Sequence, residues 1–199
     1  MTGGPMLRRG TIERKTKETA IAIQWSLDGT GRYKIETGIP FFNHMLELFS
    51  RHGLFDLTIT AHGDTDVDLH HTIEDVGIAM GMALRKALPH FEGIKRYGYA
   101  IIPMDETLAL VAIDLSGRPQ YVWKGTLRGK IGTFDTDVVK EFFKAFANEA
   151  KCSLHINILY GDNRHHKVEA VFKAFAKALH DAVATDKKIK GVLSTKGML

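Results

Sequence analysis

Apolar residues recur along this chain with two periods, and the same order of periods runs twice. In HHTIEDVGIAMGMAL, Ile73, Val76, Met80 and Leu84 stand three and four positions apart, the spacing of a helix that buries one stripe. Moved on by 95 positions, the stripe becomes Val168, Val171, Phe175 and Leu179 in HHKVEAVFKAFAKAL. Upstream of each, a shorter helical pattern runs into an alternating strand, and HMLELFSRHGLFDLTIT lies over EFFKAFANEAKCSLHIN at a shift of 97. Further back, ETAIAIQWSLDGTGRY lies over ETLALVAIDLSGRPQY at a shift of 88, and both read as strand, Gly-containing turn and return strand. Each half therefore reads as hairpin, helix, strand, helix.

The pattern predicts an α+β chain of two fused, pseudo-symmetric half-domains, each a mostly antiparallel sheet with helices packed on one face. The expected division is 1–92 and 93–199, where LPHFEG breaks the first long helix. Hairpins imply antiparallel pairing, so a doubly wound parallel sheet is the poorer topology.

Composition narrows the setting. At 199 residues and 44% hydrophobic, the chain can bury a real core. No apolar run approaches the roughly 18–20 residues that span a bilayer, and the start MTGGPMLRRG lacks the apolar core of a secretion signal. The expectation is a cytoplasmic protein without a membrane partner. The single cysteine, Cys152, cannot form an internal disulfide and lies in an alternating stretch where a small buried residue is expected. The net charge of +4 comes from scattered Lys and Arg, which leaves an anionic small molecule at least as good a partner as a nucleic acid.

The candidate chemistry sits at the start of the two long helices. His70-His71 recurs as His165-His166, and Glu74 recurs as Glu169. Neighbours on a helix point about 100° apart, so adjacent histidines suit two different metal ions. Residues three or four apart share a face, so Glu74 can complete a site with either histidine of its pair. His44 in the preceding helix has Glu141 as its counterpart, and both side chains can ligate. Eight ligands are expected as two sets of four: His44, His70, His71, Glu74 and Glu141, His165, His166, Glu169, open to trading between halves or subunits. Nitrogen with carboxylate oxygen suits Mn, Fe, Zn or Ni, and the lack of Cys ligands argues against a structural zinc finger.

Basic residues at turns form a second group. They are Arg96 in IKRYG, Arg118 in LSGRP and Lys196 in LSTKG, where Ser194, Thr195 and a Gly follow the pattern of a phosphate-holding loop. Lys173 lies two turns beyond His165 and can point a charge toward the metal region. Glu18 and Glu106 each open a strand beside Thr, where an acid near a metal pair could be a general base.

Together FFNHML, HHTIEDVGIAMG, IPMDETLA, DLSGRP, HHKVEAVFKAFAKAL and the terminal STKG closely resemble the imidazoleglycerol-phosphate dehydratase family, from Arg8 to Leu199. The resemblance implies a fold like domain 2 of ribosomal protein S5. It also implies two Mn2+ per active site and a homo-oligomer of 24 subunits with sites between them. By the same resemblance His44, His70, His71, Glu74, His165, His166 and Glu169 fall on metal ligands. Glu141 stands where many relatives carry His. Glu18 falls on an acid–base residue, Arg96, Arg118, Lys173, Ser194 and Lys196 on substrate or phosphate contacts, and His52 closes the substrate-binding stretch that begins at His44. The implied reaction is dehydration of D-erythro-imidazoleglycerol phosphate to imidazole acetol phosphate in histidine biosynthesis. Metals holding the substrate imidazolate would let it expel the neighbouring hydroxyl, with Glu18 taking the C–H proton. A dinuclear phosphate-ester hydrolase would use the same ligands, and a metal-stabilised assembly without catalysis would explain the repeat but not Glu18 or the turn cations.

Overall fold

A computed structural model describes residues 8–198. Residues 1–7, part of the start that argues against a secretion signal, lie outside them, as does Leu199, where the family resemblance ends.

The chain opens with β1 (Arg9–Lys15) and β2 (Thr19–Ser26), then β3 (Tyr33–Glu36), α1 (Pro40–Gly53), β4 (Asp56–Gly63) and α2 (His70–Ala87). The same order returns as β5 (Tyr97–Met104), β6 (Thr107–Asp114) and β7 (Gln120–Lys124). A small hairpin of β8 (Lys130–Ile131) and β9 (Phe134–Asp135) is inserted before α3 (Val138–Ala150), β10 (Ser153–Tyr160) and α4 (Arg164–Val183). The two four-stranded sheets have the orders β1-β2-β4-β3 and β5-β6-β10-β7, which are the same order once the repeat is taken into account.

The sheets are antiparallel except at one edge. β3 runs parallel to β4, and β7 runs parallel to β10. This corrects one expectation: β2 and β3, read as strand and return strand across a glycine turn, do not pair, and neither do β6 and β7. A helix lies between β3 and β4, and another between β7 and β10, so each pair is a helix crossover. Such a crossover brings its second strand back parallel to the first. The hairpins are β1-β2 and β5-β6 instead, paired along their whole length.

Alternation sets which face is buried. Ile21, Ile23 and Trp25 on β2, Leu57 and Ile59 on β4, and their repeats Ala109, Val111, Ile113, Leu154 and Ile156 all point inward. α2 packs on β1 and β2, and α4 packs on β5 and β6. The helices also pack across the repeat, α1 along α4 and α2 along α3, so one continuous core joins both sheets. Phe175 shows this joining: its ring stacks on Phe49 of α1 and meets Phe143 and Phe146 of α3 edge-on. This cross-packing decides where the site residues meet.

Candidate active site

α2 begins at its histidine pair and α4 one residue before its own, and a polar side chain just upstream meets the first free N–H groups of each, as the N-cap Asn163 in α4 and as Asp68, one residue before the N-cap, in α2. The Asp68 carboxylate accepts the His70 N–H at 2.7 Å, and Asn163 Oδ1 accepts the N–H groups of His165 at 2.9 Å and His166 at 3.4 Å. One turn on, Glu74 and Glu169 lie on the same helix face as His70 and His165.

Two clusters result, each with ligand atoms within 4.8 Å of one another. One joins His70 and Glu74 of α2 to Glu141 of α3. The other joins His165 and Glu169 of α4 to His44 of α1, with His44 Nε2 at 3.0 Å and His165 Nε2 at 3.1 Å from Glu169 Oε1. The expected sets kept His44 with the first half and Glu141 with the second. The fold exchanges them, because α1 lies along α4 and α3 along α2. Mixed imidazole nitrogen and carboxylate oxygen at this spacing fits a divalent transition-metal ion.

Glu169 is buried, which by itself raises its pKa, yet it falls to about 2 because Lys173, His44 and His165 all hydrogen-bond it. Lys173 Nζ lies 2.8 Å from Glu169 Oε2 and 3.2 Å from Met104 Sδ, so this lysine faces the His44 cluster. His52, two turns beyond His44, is half-buried near Lys173 and Lys177. First burial and then these cations hold its imidazole below the ordinary pKa.

His71 and His166 stand outside both clusters, turned away by one residue of helix. His71 Nδ1 lies 2.9 Å from Asp64 Oδ2, and His166 Nδ1 lies 2.6 Å from Glu106 Oε2. Each carboxylate raises its histidine's pKa, with Glu18 adding to the effect on His71. Asp64 is a residue that sequence reasoning passed over; its signal was the Gly-Asp pair that closes the strand in both halves, at 63–64 and 161–162.

Arg96, Arg118, Ser194, Thr195 and Lys196 do come together, with Lys188 and Lys190, around a cavity of about 800 Å3. Arg96 is held bidentately by Asp114 at 2.6 and 3.0 Å, and its third nitrogen donates to the Leu193 carbonyl at 2.7 Å. It thereby ties the terminal segment to β5. Asp114 is a second residue not singled out from sequence. The cavity lies at the far end of α4, since the Arg96 N–H bonds the Ala182 carbonyl at 2.9 Å. At 1.5 Å per residue, His165 is about 25 Å from that point. A separate cavity of about 560 Å3 opens beside His70, walled by Asp68, Lys130, Asp135 and Asp137.

Fold and site define a duplicated α+β protein with two candidate metal-binding clusters and a basic pocket. Residues 37–179 match the family model described as imidazoleglycerol-phosphate dehydratase. The chain is 55% identical over 195 residues to the imidazoleglycerol-phosphate dehydratase of Geobacter sulfurreducens, covering 98% of this chain and 100% of that one. It is 53% identical over 194 residues to that of Clostridium kluyveri, covering 97% and 100%. Among solved structures, the Staphylococcus aureus imidazoleglycerol-phosphate dehydratase superposes with a TM-score of 0.81 at 41% identity, covering 89% of this chain and 99% of that one. The Pyrococcus furiosus protein, in complex with (S)-C348, gives 0.82 at 36% identity, covering 94% and 100%. The chain belongs to the imidazoleglycerol-phosphate dehydratase family. It is an enzyme, a carbon–oxygen hydro-lyase. No helix of the described residues is long and apolar enough to cross a membrane.

Proposed function

We propose that this chain dehydrates D-erythro-imidazoleglycerol phosphate to imidazole acetol phosphate in cytoplasmic histidine biosynthesis, using two Mn2+ ions per active site. The observation that carries this reading is the pair of histidine–carboxylate clusters in a chain that also builds a separate pocket lined by cations, whose charge suits a phosphate. Bound Mn2+ would stabilise the imidazolate form of the substrate ring, the electron sink this dehydration needs because no carbonyl activates the C–H bond.

The chain's own residues supply the rest. His44, His165 and Glu169 form one half of the metal ligand set, His70, Glu74 and Glu141 the other. His71 and His166, with Nδ1 engaged by a carboxylate, present Nε2 as a further ligand. Glu18, free of the hydrogen bonds that engage Glu106, takes the C–H proton; that proton and the departing hydroxyl together make up the water released, and the enol left behind ketonises to imidazole acetol phosphate by moving its hydroxyl proton to carbon. Arg118, Ser194, Thr195 and Lys196 hold the phosphate and Arg96 keeps their segment in place, so binding energy is converted to orientation. Lys173 and His52 line the substrate side of the His44 cluster.

Two observations support an assembly with sites between copies. The cation pocket and the His44–His165–Glu169 cluster lie at opposite ends of α4 in one chain, about 25 Å apart, which is far longer than the substrate's three-carbon chain and ring can bridge. Tyr99 is 74% exposed and Ile101 51% exposed on the outer face of β5, apolar area suited to another copy. A homo-oligomer of 24 subunits, built from half-domains 1–92 and 93–199, fits both.

The test follows ketone formation by the purified protein after chelation and again after adding Mn2+, with free phosphate measured in parallel. Metal-dependent ketone without phosphate release is expected, and His71→Ala should lose it while keeping its circular dichroism. Phosphate release without ketone would favour the hydrolase reading, and neither product from intact, Mn-loaded oligomer would leave a structural role.

A further inference from the structure

The two halves hold their second histidine by carboxylates that do not correspond in the repeat. Glu106 corresponds to Glu18, and Asp162 to Asp64. Yet His71 is met by Asp64 while His166 is met by Glu106, leaving Glu18 and Asp162 out of these contacts. Two loop lengths account for the exchange. Three residues separate β1 from β2, whereas only Asp105 and Glu106 separate β5 from β6, and Asp105 takes a left-handed φ of 47°. The shorter turn aims Glu106 at the start of α4. From Asp64 to His70 the first half has a longer loop than the second has from Asp162 to His165, and it is Asp64 that folds back onto its histidine.

Neighbouring groups reinforce the difference. Glu106 Oε1 also accepts the Thr107 hydroxyl at 3.0 Å and the N–H groups of Asn163 at 2.8 Å and Asp162 at 3.2 Å. In the first half Thr19, the counterpart of Thr107, instead donates its hydroxyl to Asp75, which Arg14 also pairs. The position equivalent to Asp75 is Ala170, so nothing there draws Thr107 away from Glu106.

We infer that the duplicated acid at the strand opening has been divided between two roles: Glu18 stays free to move a proton, and Glu106 is a positioning residue that orients His166 for metal. Glu106 fixes the Nδ1–H tautomer of His166, and its charge makes Nε2 a stronger donor. The inference rests on the reading of His166 as a ligand.

The experiment titrates chelated protein with Mn2+ and counts bound ion by electron paramagnetic resonance. It uses wild type, Glu106→Gln, Glu18→Gln, His166→Ala and the double variant Glu106→Gln/His166→Ala. Glu106→Gln keeps a carbonyl oxygen for the backbone N–H groups but loses the charge, and should weaken one class of Mn2+ about 10- to 100-fold. Glu18→Gln should bind Mn2+ like wild type and lose turnover. In the His166→Ala background Glu106→Gln should add no further loss, since the partner is gone. Wild-type Mn2+ affinity in Glu106→Gln would overturn the inference, and so would an undiminished further loss in the double variant, which would make Glu106 only a support for the start of α4. Wild-type affinity in His166→Ala would remove that residue from the ligand set and the inference with it, while leaving ketone formation by wild type to decide the reaction.

Discussion

Gly98 on β5 and Gly10 on β1 correspond in the repeat, and each lets a strand lie against the backbone of the helix beneath it. A methyl group on Gly98 would sit 1.9 Å from the Ala178 carbonyl oxygen and 2.8 Å from the Ala182 amide nitrogen. On Gly10 it would sit 2.0 Å from the Ala83 carbonyl oxygen. A carbon–oxygen contact needs about 3.3 Å, so either strand must retreat by roughly 1.4 Å. Overpacking of this kind costs about 1–3 kcal/mol. At this chain length each kcal/mol lowers the melting temperature by about 2–4 °C. Both Gly→Ala variants should therefore melt earlier by similar amounts. Their kinetics should differ. Arg96, two residues before Gly98, bonds Ala182 through its N–H and carries the terminal segment through Leu193, so a retreat of β5 from α4 misplaces the proposed phosphate pocket. A shift of about 1 Å at a positioning group can cost about 100-fold, and Gly98→Ala should lose 10- to 100-fold in kcat/KM, mostly through KM. Gly10 lines no part of that pocket, and Gly10→Ala should keep its KM. The assay pairs a thermal melt with steady-state ketone formation on both variants. Equal KM values for the two, or a Gly98→Ala protein that melts and binds like wild type, would refute the argument.

Two further outcomes follow from titrating groups away from the site. Burial, with Asp114 nearby, pushes the Cys152 thiol up to about 12, so at pH 8 a thiol-specific reagent should label the unfolded chain and leave the folded one untouched; stoichiometric labelling of native protein would contradict that burial. Asp56 accepts the Arg32 guanidinium at 2.6 Å and the N–H groups of Thr30 and Arg32, which hold its carboxyl well below the ordinary 3.8. A carboxyl lowered in the folded state adds stability above its unfolded value and loses it as the pH falls through the folded one. Asp56→Asn should therefore be less stable than wild type at pH 7 and converge with it below pH 3.8, measured as urea midpoints against pH; a constant gap down to pH 2 would count against the assignment.

Local pattern made much of this molecule readable. The stripes Ile73, Val76, Met80, Leu84 and Val168, Val171, Phe175, Leu179 are buried on the predicted helices, and alternation placed the inward residues of β4 and β10. What one sequence could not show was pairing between distant segments. β2 and β3 read as a hairpin because a glycine turn follows β2; which strand lies beside β3 depends on where α1 carries the chain.

The site divides in the same way. Duplicated His-His-x-x-Glu at helical spacing is a statement about neighbours on one helix, and the sequence alone determined it, together with the family; it also singled out Arg96, Arg118 and Lys196, which the fold gathers in one pocket beside Lys188 and Lys190. Only the tertiary structure decided that His44 joins His165 and Glu169 while Glu141 joins His70 and Glu74, because that exchange follows from how α1 packs along α4 and α3 along α2. It also decided that Asp64 and Glu106, not a matched pair, hold the outward histidines. Spacing along a helix is set by backbone hydrogen bonds within a few residues, whereas these contacts depend on loop lengths and on apolar faces that find each other only when the whole core closes.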